Sequence, residues 1–294
     1  MAHKSTIVRS IRFAAGLGRM AAPGLAARAL EGLFLRARPR AIAPAEREWM
    51  DAARQTLLPL RRGEIPLYSW GAGRTVLLVH GWSGRASQLT PFVAQLVDRG
   101  YRVVAFDAPA HGAAHGSGPG SGRSSSLPEF AQTVRAVLDG LGPVHAIIAH
   151  SLGAAATSIA LAQPECPSVQ RLVYVASPED PGDFLYRAAD YLGFGPAVAR
   201  RTQGRLEQRF DFRFEDARGR ALAARIDTPL LIVHDRRDRE VSYSEGERLA
   251  HSWTEATLRT TEGLGHARIL RDPDVIDDVV QFVSVHERAT EHAV

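Results

Sequence analysis

Ser151 closes one apolar run, Val144-His145-Ala146-Ile147-Ile148-Ala149-His150, and opens an alanine-rich one that stops at Pro164. A continuous apolar run entered through Gly142-Pro143 has the pattern of a strand buried on both faces of a parallel sheet, and the run after it that of a helix. A serine at such a junction holds its hydroxyl clear of the sheet, at the positive end of a helix. The backbone N–H of Leu152 is then free to meet an oxyanion. That is the geometry of a nucleophile. The plainer alternative is a serine that N-caps an ordinary helix.

Further runs that must position such a serine lie on both sides of it. Thr75–His80, Arg102–Phe106, Arg171–Ala176, Pro229–His234 and Thr257–Thr261 read as strands, with an edge strand over Arg61–Trp70 before the Gly71-Ala72-Gly73 turn. Leu89–Arg99, Leu127–Leu141, Leu152–Gln163 and Pro273 to about His286 read as helices. In an open parallel sheet, ligands bind at the carboxyl ends of the strands. The segments at those ends are Gly81-Trp82-Ser83-Gly84, Asp107-Ala108-Pro109-Ala110-His111-Gly112, Asp235-Arg236-Arg237-Asp238-Arg239-Glu240-Val241 and Glu262-Gly263-Leu264-Gly265-His266. Glycines beside His266 let the backbone carry its imidazole over the serine. The glycines of the loop over residues 113–126 invite a phosphate-binding reading. No Gly-Lys-Ser/Thr is present, however, so a surface loop is expected there.

Ala149-His150-Ser151-Leu152-Gly153 resembles the G-x-S-x-G elbow of the α/β-hydrolase superfamily, with alanine in place of the first glycine. His80-Gly81-Trp82 resembles the oxyanion loop of that superfamily. The resemblance implies that the N–H of Trp82 pairs with that of Leu152, each donor giving about 3 kcal/mol of transition-state stabilisation. It also implies that His80 braces the loop, and that Asp107 and His111, in a turn similar to Asp-x-Pro-Gly-His-Gly, shape the turn and do not catalyse. Asp235–Val241 is similar to the family's acid loop. Asp238 falls at the acid position, with Asp235 as rival and Glu179 or Asp180 as a second alternative; His266 falls at the position of the base. The order Ser151, Asp238, His266 is the family's triad order.

Over about residues 65–286 the resemblance implies an α/β-hydrolase fold: a mostly parallel sheet with helices on both faces and a small helical cap at about 178–225. The cap's aromatics, Phe184, Tyr186, Tyr191, Phe194, Phe210, Phe212 and Phe214, are expected to face the pocket and its arginines water. The implied activity is hydrolysis of a small-molecule carboxylic ester through an acyl-enzyme, with no metal or organic cofactor. An acyltransferase, a membrane-surface lipase and a non-hydrolytic ligand-binding member are the alternatives. A serine nucleophile argues against dehalogenase and epoxide-hydrolase chemistry, for which the superfamily uses aspartate.

The net charge of +4 is unevenly spread: residues 1–40 hold eight basic side chains against one acid, Glu31, and so carry +7, which leaves −3 for the rest. A basic arm over residues 1–60 therefore precedes a hydrolase domain over 61–294. Ile7, Ile11, Ala14 and Leu17, then Leu30, Leu33 and Phe34, fall at helical spacing on either side of Pro23-Gly24. The favoured reading is a pair of helices whose apolar stripe covers the core domain. The alternative is a helix lying on a membrane surface. Nucleic acid is not expected, because no recognition motif is present. Within residues 1–40 arginines interrupt every apolar stretch, so no membrane span or secretory signal is expected there. The single cysteine, Cys166, excludes an intramolecular disulfide framework. A cytoplasmic protein is expected.

Overall fold

The computed structural model of the 294-residue chain describes residues 2–38, 40–61, 63–114 and 124–285, and of residues 2–8 the backbone only. Three helices come first: α1 (Ala2–Ala21), α2 (Pro23–Phe34) and α3 (Pro44–Asp51). The sheet strands are β1 (Arg54–Pro59), β2 (Glu64–Trp70), β3 (Arg74–Val79), β4 (Tyr101–Phe106), β5 (Val144–His150), β6 (Val169–Val175), β7 (Leu230–Asp235) and β8 (Ala256–Thr261). Their order is β1-β2-β4-β3-β5-β6-β7-β8, antiparallel from β1 to β4 and parallel thereafter. This is the expected α/β architecture.

Alternation along the strands divides the core. Leu77, Val79, Ile147, Ala149 and Tyr174 face α5 (Leu127–Leu141) and α6 (Leu152–Leu161), packing with Phe130, Val134 and Ala154. Val76, Leu78, Ile148 and Val173 face the other way, onto α4 (Val93–Asp98) and α12 (Pro273–Ser284). α10 (Tyr243–Ser252) fills the layer beside β7 and β8. The cap is α7 (Asp183–Tyr191), α8 (Gly195–Phe210) and α9 (Gly219–Ala223); α11 (Gly265–Arg268) follows β8.

Three local expectations are corrected. Strand β1 and helix α3 lie within the stretch assigned to the arm. β1 is an almost fully exposed edge strand, paired antiparallel with β2 through a turn at Gly63, and so has no hydrophobic alternation to announce it. The helix expected over Leu89–Arg99 is a 3₁₀ turn over Ala86–Phe92 followed by the short α4, because Pro91 has no N–H for an α-helical ladder. His266 stands in the one-turn helix α11, not on an open loop. The glycines at 116, 118, 120 and 122 lie outside the described residues, as do the side chains of Lys4 and Ile7 and the helix end expected at His286.

The first two helices of the arm do pack down by an apolar stripe, but on the cap, while α3 packs on the core domain through Trp49 and Met50. Ala15, Ala26, Ala27, Leu30 and Leu35 form a third cluster with Leu185, Ala189, Phe194, Val198, Ala199 and Leu206 of the cap. Buried Glu31 fixes the contact, accepting from Arg205 (2.8 Å) and Arg209 (2.7 Å) of α8. Burial pushes its pKa up, but the two guanidiniums outweigh that and hold it below the ordinary value. Among the described residues no helix is long and apolar enough to cross a membrane.

Candidate active site

The turn from β5 into α6 puts Ser151 at φ 53°, ψ −127°, a backbone conformation that a side chain rarely adopts and that costs on the order of 1–3 kcal/mol. What holds it is close packing. The Ser151 N–H donates to the Val175 carbonyl (2.9 Å), and a Cβ on Gly153 would lie 2.3 Å from the His80 carbonyl oxygen. Gly81 is close as well, since its Cβ would stand 3.0 Å from that of Ser151. The segment carrying Trp82 is thereby pressed against the elbow. Ala149, which replaces the first glycine of the motif, is an ordinary buried strand residue in register with Val79 and Tyr174.

Ser151, His266 and Asp238 meet at hydrogen-bond distance. The Ser151 hydroxyl donates to His266 Nε2 (3.0 Å), and His266 Nδ1–H donates to Asp238 Oδ2 (2.7 Å). Asp238 Oδ1 accepts from the N–H groups of Glu240 (2.7 Å) and Val241 (3.0 Å). Burial raises the pKa of this carboxyl, but the hydrogen bond and charge of His266, with the two backbone donors, leave it below the ordinary range. Ser151 therefore faces an imidazole whose far nitrogen is tied to a carboxylate.

The rival carboxylates have other partners. Asp235 accepts from Thr261 Oγ1 (2.8 Å), Leu264 N (2.9 Å), Arg237 N (2.9 Å) and Gly263 N (3.2 Å). Burial opposes its ionisation, yet these donors bring its pKa down to about 2. It fastens the segment that carries His266. Glu179 accepts from the Arg220 N–H (3.2 Å), and Asp180 binds Arg218 (2.8 Å); neither reaches His266.

Two histidines that end strands in the sequence reading belong to the site. His150 Nε2–H donates to the His266 carbonyl (3.0 Å), and the two rings lie 4.7 Å apart. Burial, then repulsion from His266, pushes the His150 pKa down to about 3. His234, fully buried, donates Nε2–H to the Val241 carbonyl (3.2 Å) and stands 3.7 Å from Asp238 Oδ2. The one available signal was position, because both precede site residues at the carboxyl ends of strands. His80 braces its loop as expected: Nδ1–H donates to the Gly81 carbonyl (2.7 Å) while Nε2 accepts from Ala108 N (3.1 Å). Asp107 fixes the neighbouring turn by accepting from Ala86 N and Ala113 N, both at 2.7 Å.

A cavity of about 440 Å³ opens over Ser151 and His266. Trp82 and Leu152 line it beside Ser151, and the cap contributes Phe184, Phe210, Phe212 and Phe214. The other three cap aromatics do not face it: Phe194 is buried between cap and arm, Tyr186 donates to Gln203, and Tyr191 is exposed. Nor do all cap arginines stand free in water, since half-buried Arg205 and Arg218 hold Glu31 and Asp180. The arm closes one wall of the cavity with Leu33, Phe34 and Leu35, and places Arg36 and Arg40 there. Among the described residues no group of three or more His, Cys, Asp or Glu could hold a metal ion.

A parallel sheet with a strained Ser elbow and an imidazole above it defines a class, and the comparisons agree. The sequence model of the alpha/beta hydrolase family matches residues 76–279, and the chain belongs to that family. It is 26% identical over 261 residues to a non-heme chloroperoxidase of Streptomyces lividans, an alignment covering 73% of this chain and 94% of the relative. Among solved structures it is similar in fold to a bromoperoxidase from Bacillus anthracis (TM-score 0.58, 15% identity, 78% of this chain and 99% of that one). Est1E from Butyrivibrio proteoclasticus, solved with ferulic acid bound, gives a TM-score of 0.58 at 15% identity, covering 78% of this chain and 100% of the other.

Proposed function

We propose that the chain is a serine hydrolase that cleaves a carboxylic ester through an acyl-enzyme. The observation that carries this is the unbroken hydrogen-bonded series from Ser151 through His266 to Asp238, opening on a mainly apolar cavity. In the proposed reaction the Ser151 oxygen attacks the ester carbonyl while His266 Nε2 takes its proton. The tetrahedral oxyanion is received by the N–H groups of Trp82 and Leu152, and collapse expels the alcohol, which takes the proton back from His266. Water then repeats the sequence on the acyl-enzyme and releases the acid. Asp238 keeps Nδ1 protonated, so that Nε2 is the free base, and balances the imidazolium that forms. The Phe-lined cavity favours an apolar acyl group.

The test is an organophosphonate probe read by intact mass, followed by esters of graded acyl length. One adduct on the wild type, absent from Ser151→Ala, supports the reading. No adduct, or the same adduct on Ser151→Ala, overturns it and leaves a ligand-binding member of the fold.

A further inference from the structure

Helix α1 has two apolar faces, and the cap occupies only one. Ala15 is buried, Gly18 lies against Ala26 of α2, and a Cβ on Gly193 of the cap would sit 3.5 Å from the backbone of Arg12. On the opposite side of the helix, Phe13, Leu17 and Met20 fall within one narrow arc, as residues spaced by four and three must. They are 73%, 58% and 82% exposed. Isolated exposed apolar residues are ordinary, but three large ones in a stripe on one helix mark an interaction surface. Leu25, also exposed, continues the patch past the α1–α2 corner.

The surroundings of the stripe are basic. Arg9 flanks it on α1, and Arg12 and Arg19, also exposed, stand between it and the cap. At the corner, Gly24, Leu25, Arg28, Arg201 and Arg205 line a shallow depression to which both the arm and α8 contribute. Arg205 is engaged with Glu31, whereas Arg28 and Arg201 have no ion-pair partner among the described residues. A depression with two uncommitted guanidiniums beside an apolar stripe suits a surface that offers phosphates at the level where its hydrocarbon begins.

We propose that this face, the outward stripe of α1 with the Arg28–Arg201 corner, docks the protein on an anionic lipid bilayer. The apolar side chains enter the interfacial region while the arginines reach headgroup phosphates. A second copy of the chain fits poorly, because pairing two such faces sets Arg9, Arg12 and Arg19 against their like. A nucleic acid would satisfy the arginines but leave Leu17 and Met20 without a partner. Docking here also bears on access to the cavity: α2 runs from Leu25 at the corner to Phe34 on the cavity wall, about 13 Å along its axis. The inference does not depend on the proposed chemistry at Ser151.

Flotation of the full-length protein with phosphatidylcholine vesicles, with and without phosphatidylglycerol, tests it at low and high salt. The wild type is expected to float with the anionic vesicles and to be released by salt. The combined Phe13→Ser, Leu17→Ser, Met20→Ser variant and the Arg28→Glu, Arg201→Glu variant should each partition at least about tenfold less, each basic side chain near the surface being worth about a fivefold gain. All these side chains are outside the packed cores, so both variants should melt with the wild type in the absence of lipid. Wild type that fails to float, variants that float as it does, or binding indifferent to lipid charge and salt overturns the proposal. So does a wild-type dimer in solution that the triple serine variant dissolves.

Discussion

Leu30→Ala tests whether the arm is part of the folded structure. Leu30 is fully buried between α2 and the cap, in the cluster with Leu185, Val198, Ala199 and Leu206. Removing such a side chain costs about 2–5 kcal/mol, the range reflecting how far the site collapses. That cost falls on the free energy of docking, so the population with the arm released rises by about thirtyfold to a few thousandfold. Trypsin reads this directly, because Arg36 and Arg38 follow α2 in the connector and cleavage tracks the open population when reclosing is fast. Leu25→Ala is the internal control: at 65% exposure its loss should stay within about 0.5 kcal/mol. Activity should follow by KM more than by kcat, since Leu33 and Phe34 wall the cavity while the hydrogen bond from Ser151 to His266 is made without them. Equal trypsin rates for Leu30→Ala and Leu25→Ala would refute the docking argument.

Ser151→Ala should lower kcat on any ester the wild type turns over by about 10⁴-fold or more without loss of melting temperature; residual activity within tenfold contradicts the assignment. Asp238→Asn should cost activity on a similar scale, whereas Asp235→Asn should cost mainly stability. A reversed order would move the acid to the other carboxylate. Asp235 also sets a pH dependence. Its folded pKa of about 2 lies below the ordinary 3.8, so the unfolded chain binds the extra proton in between. The stabilisation, about 2 kcal/mol, is complete above about pH 5 and is lost as pH falls toward 2. Urea midpoints should show that loss in the wild type and a flatter profile in Asp235→Asn.

The central strands were legible because they are buried on both faces, and such strands are written as unbroken apolar runs. β5 and β7 were placed to within a residue or two for that reason. β1 was not, because an edge strand in water needs only backbone partners, and backbone partners leave no trace in residue type. Of the candidate site, the residues that meet were legible and their arrangement only partly so. Asp238 and Asp235 are three residues apart, both at the end of β7, and resemblance alone separated them. Geometry explains the pair: one carboxylate faces His266 Nδ1 while the other anchors the backbone on which His266 stands. With a single apolar stripe, the arm's docking and its contact with a membrane would exclude each other. Its first helix has room for two, one docked on the cap and one open.

The histidines around the elbow show what a list of candidate residues leaves out. His80, His150 and His234 all lie close to the reacting atoms in sequence or in space, and each carries a nitrogen able in principle to accept a proton. Burial pushes all three pKa values down, to about 4 for His80 and about 3 for His150. Each donates its ring N–H to a backbone carbonyl: His80 to Gly81, His150 to His266 and His234 to Val241. They are neutral struts at neutral pH. His266 differs in facing a carboxylate on one side and the serine hydroxyl on the other, at the floor of an open cavity. In the proposed reaction the proton leaving Ser151 therefore has one imidazole to go to, and the other three hold that imidazole, its acid loop and its oxyanion loop where the transfer requires them.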